Sequence, residues 1–157
     1  AASLLIVGGG NTFYLQQAVL ASGFGEIARR HVGAFGLPYV GQSAGGIVAG
    51  ASVSPAFWKG WDDPAAATHI DFASETQLTR GMDLLGGRAI FPHYEAKLHK
   101  GLVAERRVEL SRPEGLVALA EDEVLLHVCD GDDCRAATLR SGTLNPEDVE
   151  RFKKTVS

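Results

Sequence analysis

The chain has 157 residues, of which 45% are hydrophobic and 22% are charged, and its formal net charge is -4. This composition is typical of a globular protein with one well-buried core, so we expect one domain over residues 1–157. The basic residues are scattered, which argues against a nucleic-acid surface, and the apolar runs are far shorter than the ~18 residues of a membrane-spanning helix. The opening stretch AASLLIVGGG has no basic leader, so we expect a cytoplasmic protein that does not associate with a membrane.

Strands and helices are predicted to alternate along the first third of the chain. The predicted elements are a strand over 3–7, a helix capped by Asn11 or Thr12 that ends at Gly23, an amphipathic stretch that ends near Gly36, a strand over 37–41 and a small-residue helix over 45–51. Continuous apolar strands separated by helices are typical of a parallel sheet with both faces covered. We therefore predict an α/β fold with a mostly parallel sheet and helices on both faces.

The rest of the chain has a less regular pattern. Residues 52–80 contain both tryptophans and no clean period, which predicts a long loop beside a site. The elements predicted after this loop are a strand over 88–92, a helix over 97–110, a strand over 115–120, a hairpin of strands over 124–129 and 135–139, and a capped terminal helix in LNPEDVERFKK.

The two cysteines, Cys129 and Cys134, lie beside the turn of the predicted hairpin. Two thiols cannot form a disulfide scaffold, and their spacing matches no common zinc pattern, so we predict no metal site. We expect free thiols in a reducing cytosol, with a cross-strand disulfide as the alternative.

A serine flanked by glycines lies where a predicted strand becomes a helix. The residues Gly41-Gln42-Ser43-Ala44-Gly45 have the G-x-S-x-G pattern of a nucleophile elbow, whose strained turn exposes the serine oxygen and leaves little room for neighbouring side chains. The N–H of Ala44, directly after the serine, is suited to hold a developing oxyanion. The alternative is that these glycines serve only helix–strand packing.

A second glycine turn, GGGNTF, follows the first predicted strand. Loops at the carboxyl edge of a parallel sheet surround the ligand crevice, so a backbone N–H here, first of all that of Gly10, can complete an oxyanion hole. A phosphate cradle is the weaker alternative, because the P-loop pattern and the third glycine of G-x-G-x-x-G are both missing.

The base that activates the serine should be one of the five histidines. Only His93, in IFPHYE, stands just past an apolar strand, where parallel-sheet sites collect their residues, so we predict His93 as the general base. Glu121, in LVALAEDEV, follows another apolar strand and is the first choice for the acid that orients His93. Asp62 and Asp63 are the alternatives, and spacing does not decide among the three.

The motifs GGGNTFYL, GQSAGG, FPHY and ALAEDE, in this order, resemble the peptidase E family of serine peptidases, which includes aspartyl dipeptidases and cyanophycinase. The resemblance runs from about Leu4 to about Ser141. It implies a fold similar to the class I glutamine amidotransferase domain, shortened at the amino end, with serine in place of the elbow cysteine.

The family resemblance also implies the roles of the site residues. Ser43 would be the nucleophile, His93 the base, Gly10 and Ala44 the oxyanion hole, and either Glu121 or Asp62 the acid. Asn11 matches an asparagine at the substrate end of the cleft, and Gln42 and Tyr94 are further candidates for substrate binding. No cofactor is expected.

The expected activity is removal of an amino-terminal residue from dipeptides or short peptides. Aspartyl dipeptidases of the family carry an arginine on the helix after the histidine, where this chain has Ala104, so a strict preference for amino-terminal Asp is doubtful. The missing strand–helix units at the amino end imply either a truncated chain or a short form that covers its sheet edge as a homo-oligomer. The alternatives are a cyanophycinase-like or esterase-type acyl hydrolase and a non-catalytic binding module.

Overall fold

The computed structural model describes residues 2–72, 74, 76–130 and 133–141. The predicted terminal helix in LNPEDVERFKK lies outside these residues. Within the described ranges, no helix combines the length and apolar character needed to cross a membrane.

The first part of the chain alternates between strand and helix, as predicted. The elements are β1 (Leu5–Val7), α1 (Thr12–Ser22), α2 (Phe24–Arg29), a π-helical turn (Arg30–Ala34), β2 (Tyr39–Gly41) and α3 (Ala44–Ala49). The side chain of Asn11 caps α1 by accepting a 2.9 Å hydrogen bond from the N–H of Tyr14. Gly23 ends the helix in the left-handed region, with a φ of 69°, which a residue without a Cβ adopts at no steric cost.

The second part contains short helices where a loop was predicted. The elements are α4 (Pro55–Trp58), β3 (Ala89–Phe91), α5 (Ala96–Arg106), β4 (Leu116–Ala118), β5 (Glu123–Asp130) and β6 (Asp133–Arg140), with 3-10 turns at Pro64–Ala66, Thr76–Thr79, Arg107–Glu109 and Pro113–Gly115. Pro55 begins α4 at a position where proline's fixed φ favours a helix. The predicted loop over 52–80 therefore consists of short helical turns and their connections.

The described strands form three two-stranded pairs. The strands β1 and β2 are parallel, β3 and β4 are parallel, and β5 and β6 form an antiparallel hairpin. The parallel pairs and the helices between them agree with the α/β class. The strands of both parallel pairs are only three residues long, so their ladders are short. The pairings among the described strands do not join the two parallel pairs into the larger sheet that the sequence predicts.

The hydrophobic core lies between α1, α3, α4 and the segment that precedes β3. Phe13 is fully buried, and its ring lies 4.4 Å from that of Phe57 and 5.4 Å from that of Phe72, measured between ring centroids. Val48 from α3 and Met82 complete this centre. Burial of such large apolar side chains stabilises the fold.

The two cysteines form a disulfide, so the expectation of free thiols is wrong and the alternative is correct. The register of the hairpin places Cys129 directly opposite Cys134, with their Cα atoms 4.0 Å apart. Cross-strand neighbours on one face are close enough for their sulfurs to meet.

Candidate active site

The turn between β2 and α3 holds Ser43 in a strained backbone conformation. Its φ is 50° and its ψ is -111°, outside the regions that residues with side chains ordinarily occupy. A Cβ on Gly41 would lie 2.6 Å from the carbonyl oxygen of Gly45, and a Cβ on Gly45 would lie 2.1 Å from that of Val7. Both glycines of the G-x-S-x-G pattern are therefore required by close backbone approach, as the sequence motif predicts.

The hydroxyl group of a tyrosine stabilises the elbow. The hydroxyl of Tyr39 donates a 2.7 Å hydrogen bond to the carbonyl of Gly45, in the first turn of α3. Burial raises the pKa of Tyr39, because the phenolate would lose its hydration. The hydroxyl therefore remains a donor and fixes the start of α3 relative to β2.

Ser43, His93 and Glu121 lie in one line of contacts. The Oγ of Ser43 is 2.8 Å from Nε2 of His93, and Nδ1 of His93 contacts the carboxylate of Glu121. The His93 side chain is 32% exposed and that of Glu121 is 75% exposed, so the acid end of this line faces solvent.

The parallel pairing of β3 and β4 explains why His93 and Glu121 meet. Phe91 pairs with Ala118 in the last register position, so the residues that follow both strands emerge at the same edge. The N–H of Tyr94 donates to the carbonyl of Leu119 at 2.8 Å, which holds the two segments together beyond the strands. His93 itself has a φ of 55°, in the left-handed region.

The glycine turn after β1 lies against the serine. A Cβ on Gly9 would be 3.3 Å from Cβ of Ser43 and 3.9 Å from its Oγ, so this loop approaches the nucleophile closely only because it lacks side chains. Gly10 has a φ of 138°, a conformation that favours glycine. Ala44, the other candidate for the oxyanion hole, is buried at the first position of α3.

The remaining predicted residues surround this line but do not all contact it. The contact from a carboxylate to His93 comes from Glu121, and among the described contacts none joins Asp62 to His93. Asn11 donates from its amide to the carbonyl of Asp63 at 3.0 Å. This hydrogen bond joins the glycine turn to the tryptophan segment, which comprises residues 58–63. Tyr94 is half-buried beside the histidine, and Gln42 is exposed beside the serine.

Sequence reasoning missed Lys59, which lies next to His93. Its Nζ donates to the carbonyl of Pro92 and, at 3.1 Å, to that of His93. Burial lowers the pKa of Lys59 to about 8, against the opposing effect of nearby carboxylates. No motif marks this lysine, and only its place between two tryptophans inside the predicted loop could have drawn attention to it.

The two tryptophans have different environments. The ring of Trp61 lies 5.6 Å from the His93 ring and is 59% exposed, so it belongs to the rim of the site. Trp58 packs 5.9 Å from Phe91, and its indole N–H donates to Glu109 at 3.1 Å, which is a structural role.

The helix after the histidine carries no arginine directed by its contacts toward the site. Arg106 forms a 2.8 Å ion pair with Glu109, and Arg107 donates to the carbonyl of Pro113. Ala104, the position that matches the arginine of aspartyl dipeptidases, is exposed.

A separate group of metal-ligand type lies on the hairpin. His127, Cys129 and Cys134 bring their ligand atoms within 4.8 Å of one another. Because the two sulfurs are bonded to each other, neither is a thiolate, so this group offers no soft ligand set in its present state.

The comparisons with known proteins show which family the chain belongs to. The family model of Peptidase family S51 matches residues 1–135. The chain belongs to Peptidase family S51. The peptidase E resemblance of its motifs is therefore confirmed at the level of the family.

A solved structure shares the fold of this chain. It is the 1.5 Å crystal structure of a "Putative Peptidase E Protein" from Listeria monocytogenes EGD-e, with a TM-score of 0.64 at 20% sequence identity. The match covers 87% of the present chain and 60% of the Listeria protein, so the S51 chain spans less than two thirds of that relative. No curated protein sequence matches the chain significantly.

Proposed function

We propose that the chain is a serine peptidase that removes the amino-terminal residue from dipeptides or short peptides through an acyl-enzyme. The observation that carries this proposal is the 2.8 Å contact between Ser43 and His93, continued by the contact from His93 to Glu121. A serine hydroxyl is a weak nucleophile at neutral pH and needs both an adjacent base and a group that orients that base.

In the proposed reaction, Oγ of Ser43 attacks the scissile carbonyl carbon while Nε2 of His93 takes the hydroxyl proton. His93 then gives this proton to the leaving amine, the C–N bond breaks, and an ester to Ser43 remains. Water attacks that ester with His93 again as the base. The bond between the acyl carbon and Oγ then breaks, His93 returns the proton to Ser43, and the acid product leaves. Glu121 holds the imidazole in orientation and stabilises its charged form, and the reaction requires no cofactor.

The backbone N–H groups of Gly10 and Ala44 are proposed to hold the oxyanion. The close approach of the neighbouring Gly9 to Ser43 supports this role, since it brings the glycine turn near the nucleophile. Fixed donors at the position of developing charge stabilise the transition state more than the ground state. Asn11, Gln42 and Tyr94 lie around this centre and are proposed to contact the substrate.

We propose a broad preference at the amino-terminal residue rather than a strict preference for Asp. Ala104 cannot pair with a substrate carboxylate, and the guanidinium groups of Arg106 and Arg107 are engaged by Glu109 and Pro113. A desolvated carboxylate without a charged partner costs several kcal/mol, so an Asp side chain would gain little here.

Three further properties remain proposals. They are a class I glutamine amidotransferase-like layout, a single domain over residues 1–157 and association into a homo-oligomer. The parallel strand pairs and the fold of the Listeria relative support the first of these. Light scattering on the purified chain measures its association. We also propose a cytoplasmic location, where the disulfide of the hairpin would be subject to reduction.

A dipeptide panel tests the proposed function. Substrates with Asp, Glu, neutral and basic first residues are compared, with Ser43→Ala as the control. We expect hydrolysis of several neutral dipeptides and a loss of several powers of ten in the variant. Wild-type rates in Ser43→Ala would refute the mechanism.

Two further measurements separate the alternative functions. Turnover of simple esters far faster than of any peptide would indicate a different acyl hydrolase. A fluorophosphonate probe that fails to label Ser43 in folded protein would indicate a non-catalytic binding module.

A further inference from the structure

The ammonium group of Lys59 lies against the peptide segment that carries His93. It donates to two successive carbonyl groups, those of Pro92 and His93, the second at 3.1 Å. Lys59 follows the last residue of α4, while Pro92 and His93 follow β3, so these hydrogen bonds join two elements distant in sequence.

Two aromatic rings surround the same ammonium group. The Nζ of Lys59 lies 4.0 Å from the centroid of a Trp61 ring and 4.2 Å from that of Phe91. Cation–π attraction is strongest where water is excluded, and here it adds to the two hydrogen bonds. The ring of Trp61 also borders His93, so the lysine, the tryptophan and the histidine form one packed unit.

The backbone of His93 needs such support. A φ of 55° is uncommon for a residue with a side chain, and strained conformations persist only where the surrounding structure fixes them. Hydrogen bonds from a charged donor are about twice as strong as neutral ones, which suits Lys59 to this task.

We propose that Lys59 is a positioning residue that holds the Pro92–His93 peptide segment so that the His93 ring faces Ser43 and Glu121 together. This inference rests on the proposed serine-peptidase function. Loss of the ammonium group would let the segment relax and would misalign the imidazole without removing it.

Three carboxylates act on the charge of Lys59. They belong to Glu121 after β4, Glu95 before α5 and Asp62 in the tryptophan segment, and they raise the pKa of the lysine, whereas burial lowers it to about 8. Lys59 is therefore charged at neutral pH and loses its charge in mildly alkaline solution. Because the unfolded-state pKa of lysine is about 10.4, its burial destabilises the fold below pH 8, and this penalty disappears as the pH rises toward 10.4.

Dipeptide hydrolysis by Lys59→Met tests the proposal, because methionine keeps an unbranched side chain of similar length but has no donor and no charge. We expect kcat to fall about 10- to 100-fold, with KM changed far less, since small misplacements of a catalytic group have effects of this size. Lys59→Arg should recover part of kcat and extend activity to higher pH, because a guanidinium stays charged. A kcat for Lys59→Met within twofold of wild type would overturn the proposal.

Matched controls separate this proposal from the function itself. Lys100→Met removes an exposed lysine of α5 and should leave kcat unchanged. Hydrolysis that survives in Ser43→Ala would refute the serine mechanism, whereas an inactive Ser43→Ala beside a fully active Lys59→Met would refute only the role of Lys59. If circular dichroism shows that Lys59→Met is unfolded, Lys59→Gln replaces it and must be slower than Lys59→Arg.

Discussion

Replacement of Glu121 by glutamine tests the orienting acid. The substitution keeps the size of the side chain and removes its negative charge, so His93 loses stabilisation mainly when it becomes charged in the transition state. Opposite charges about 4 Å apart attract by about 1 kcal/mol in water and about 4 kcal/mol at a protein surface. Since the Glu121 side chain is 75% exposed, water screens the pair and the lower part of this range applies.

A loss of 1.4 kcal/mol lowers a rate constant tenfold, so we expect kcat of Glu121→Gln to fall about 10- to 100-fold. The assay is steady-state dipeptide hydrolysis at neutral pH, repeated at rising salt, which should reduce the difference between wild type and variant. Asp62→Asn is the matched control, because among the described contacts the carboxylate at His93 is that of Glu121 and not that of Asp62. A greater loss of kcat in Asp62→Asn than in Glu121→Gln would show that the acid has been assigned to the wrong residue.

Two predictions concern stability. Gly45→Ala should lower the free energy of unfolding by at least about 3 kcal/mol, because its Cβ would overlap the Val7 carbonyl. Gly101→Ala, in the middle of α5 where a Cβ meets no other atom, should raise the free energy of unfolding by about 0.5–1 kcal/mol. Urea denaturation measures both, and equal effects would contradict the close approach at the elbow. Reduction of the Cys129–Cys134 disulfide should lower the free energy of unfolding by about 2 kcal/mol, because the disulfide restricts the entropy of a short loop in the unfolded chain. Urea curves with and without a phosphine reductant measure this difference. Coincident curves would mean that the hairpin does not unfold with the rest of the chain.

Much of the site follows from local sequence signals. Apolar runs without alternation predict parallel strands, and residues just past such strands gather at one edge, which is why Ser43, His93 and Glu121 could all be proposed from the sequence. The glycines of the elbow could also be predicted, because their spacing reflects a backbone geometry that is determined within five residues. The family match over residues 1–135 confirms the family that these motifs indicate.

Other features depend on contacts between distant segments, which local patterns do not encode. The contact of Glu121 rather than Asp62 with His93 follows from the register of β3 with β4, and the disulfide follows from the register of the hairpin. Lys59 reaches His93 across 34 residues of sequence, through a helical turn that was predicted as loop. The short ladders also could not be predicted, because the five-residue strands predicted over 3–7 and 37–41 form only three paired positions.

At position 43, the residue that best suits the backbone conformation differs from the residue that the proposed reaction requires. A glycine would occupy a φ of 50° without the steric cost that serine bears there. It would therefore favour folding but would remove the Ser43 hydroxyl. Random drift toward greater robustness at this one position would produce inactive descendants. A serine in this conformation among relatives would therefore indicate selection for catalytic activity. A glycine at this position would indicate relatives that have lost that activity.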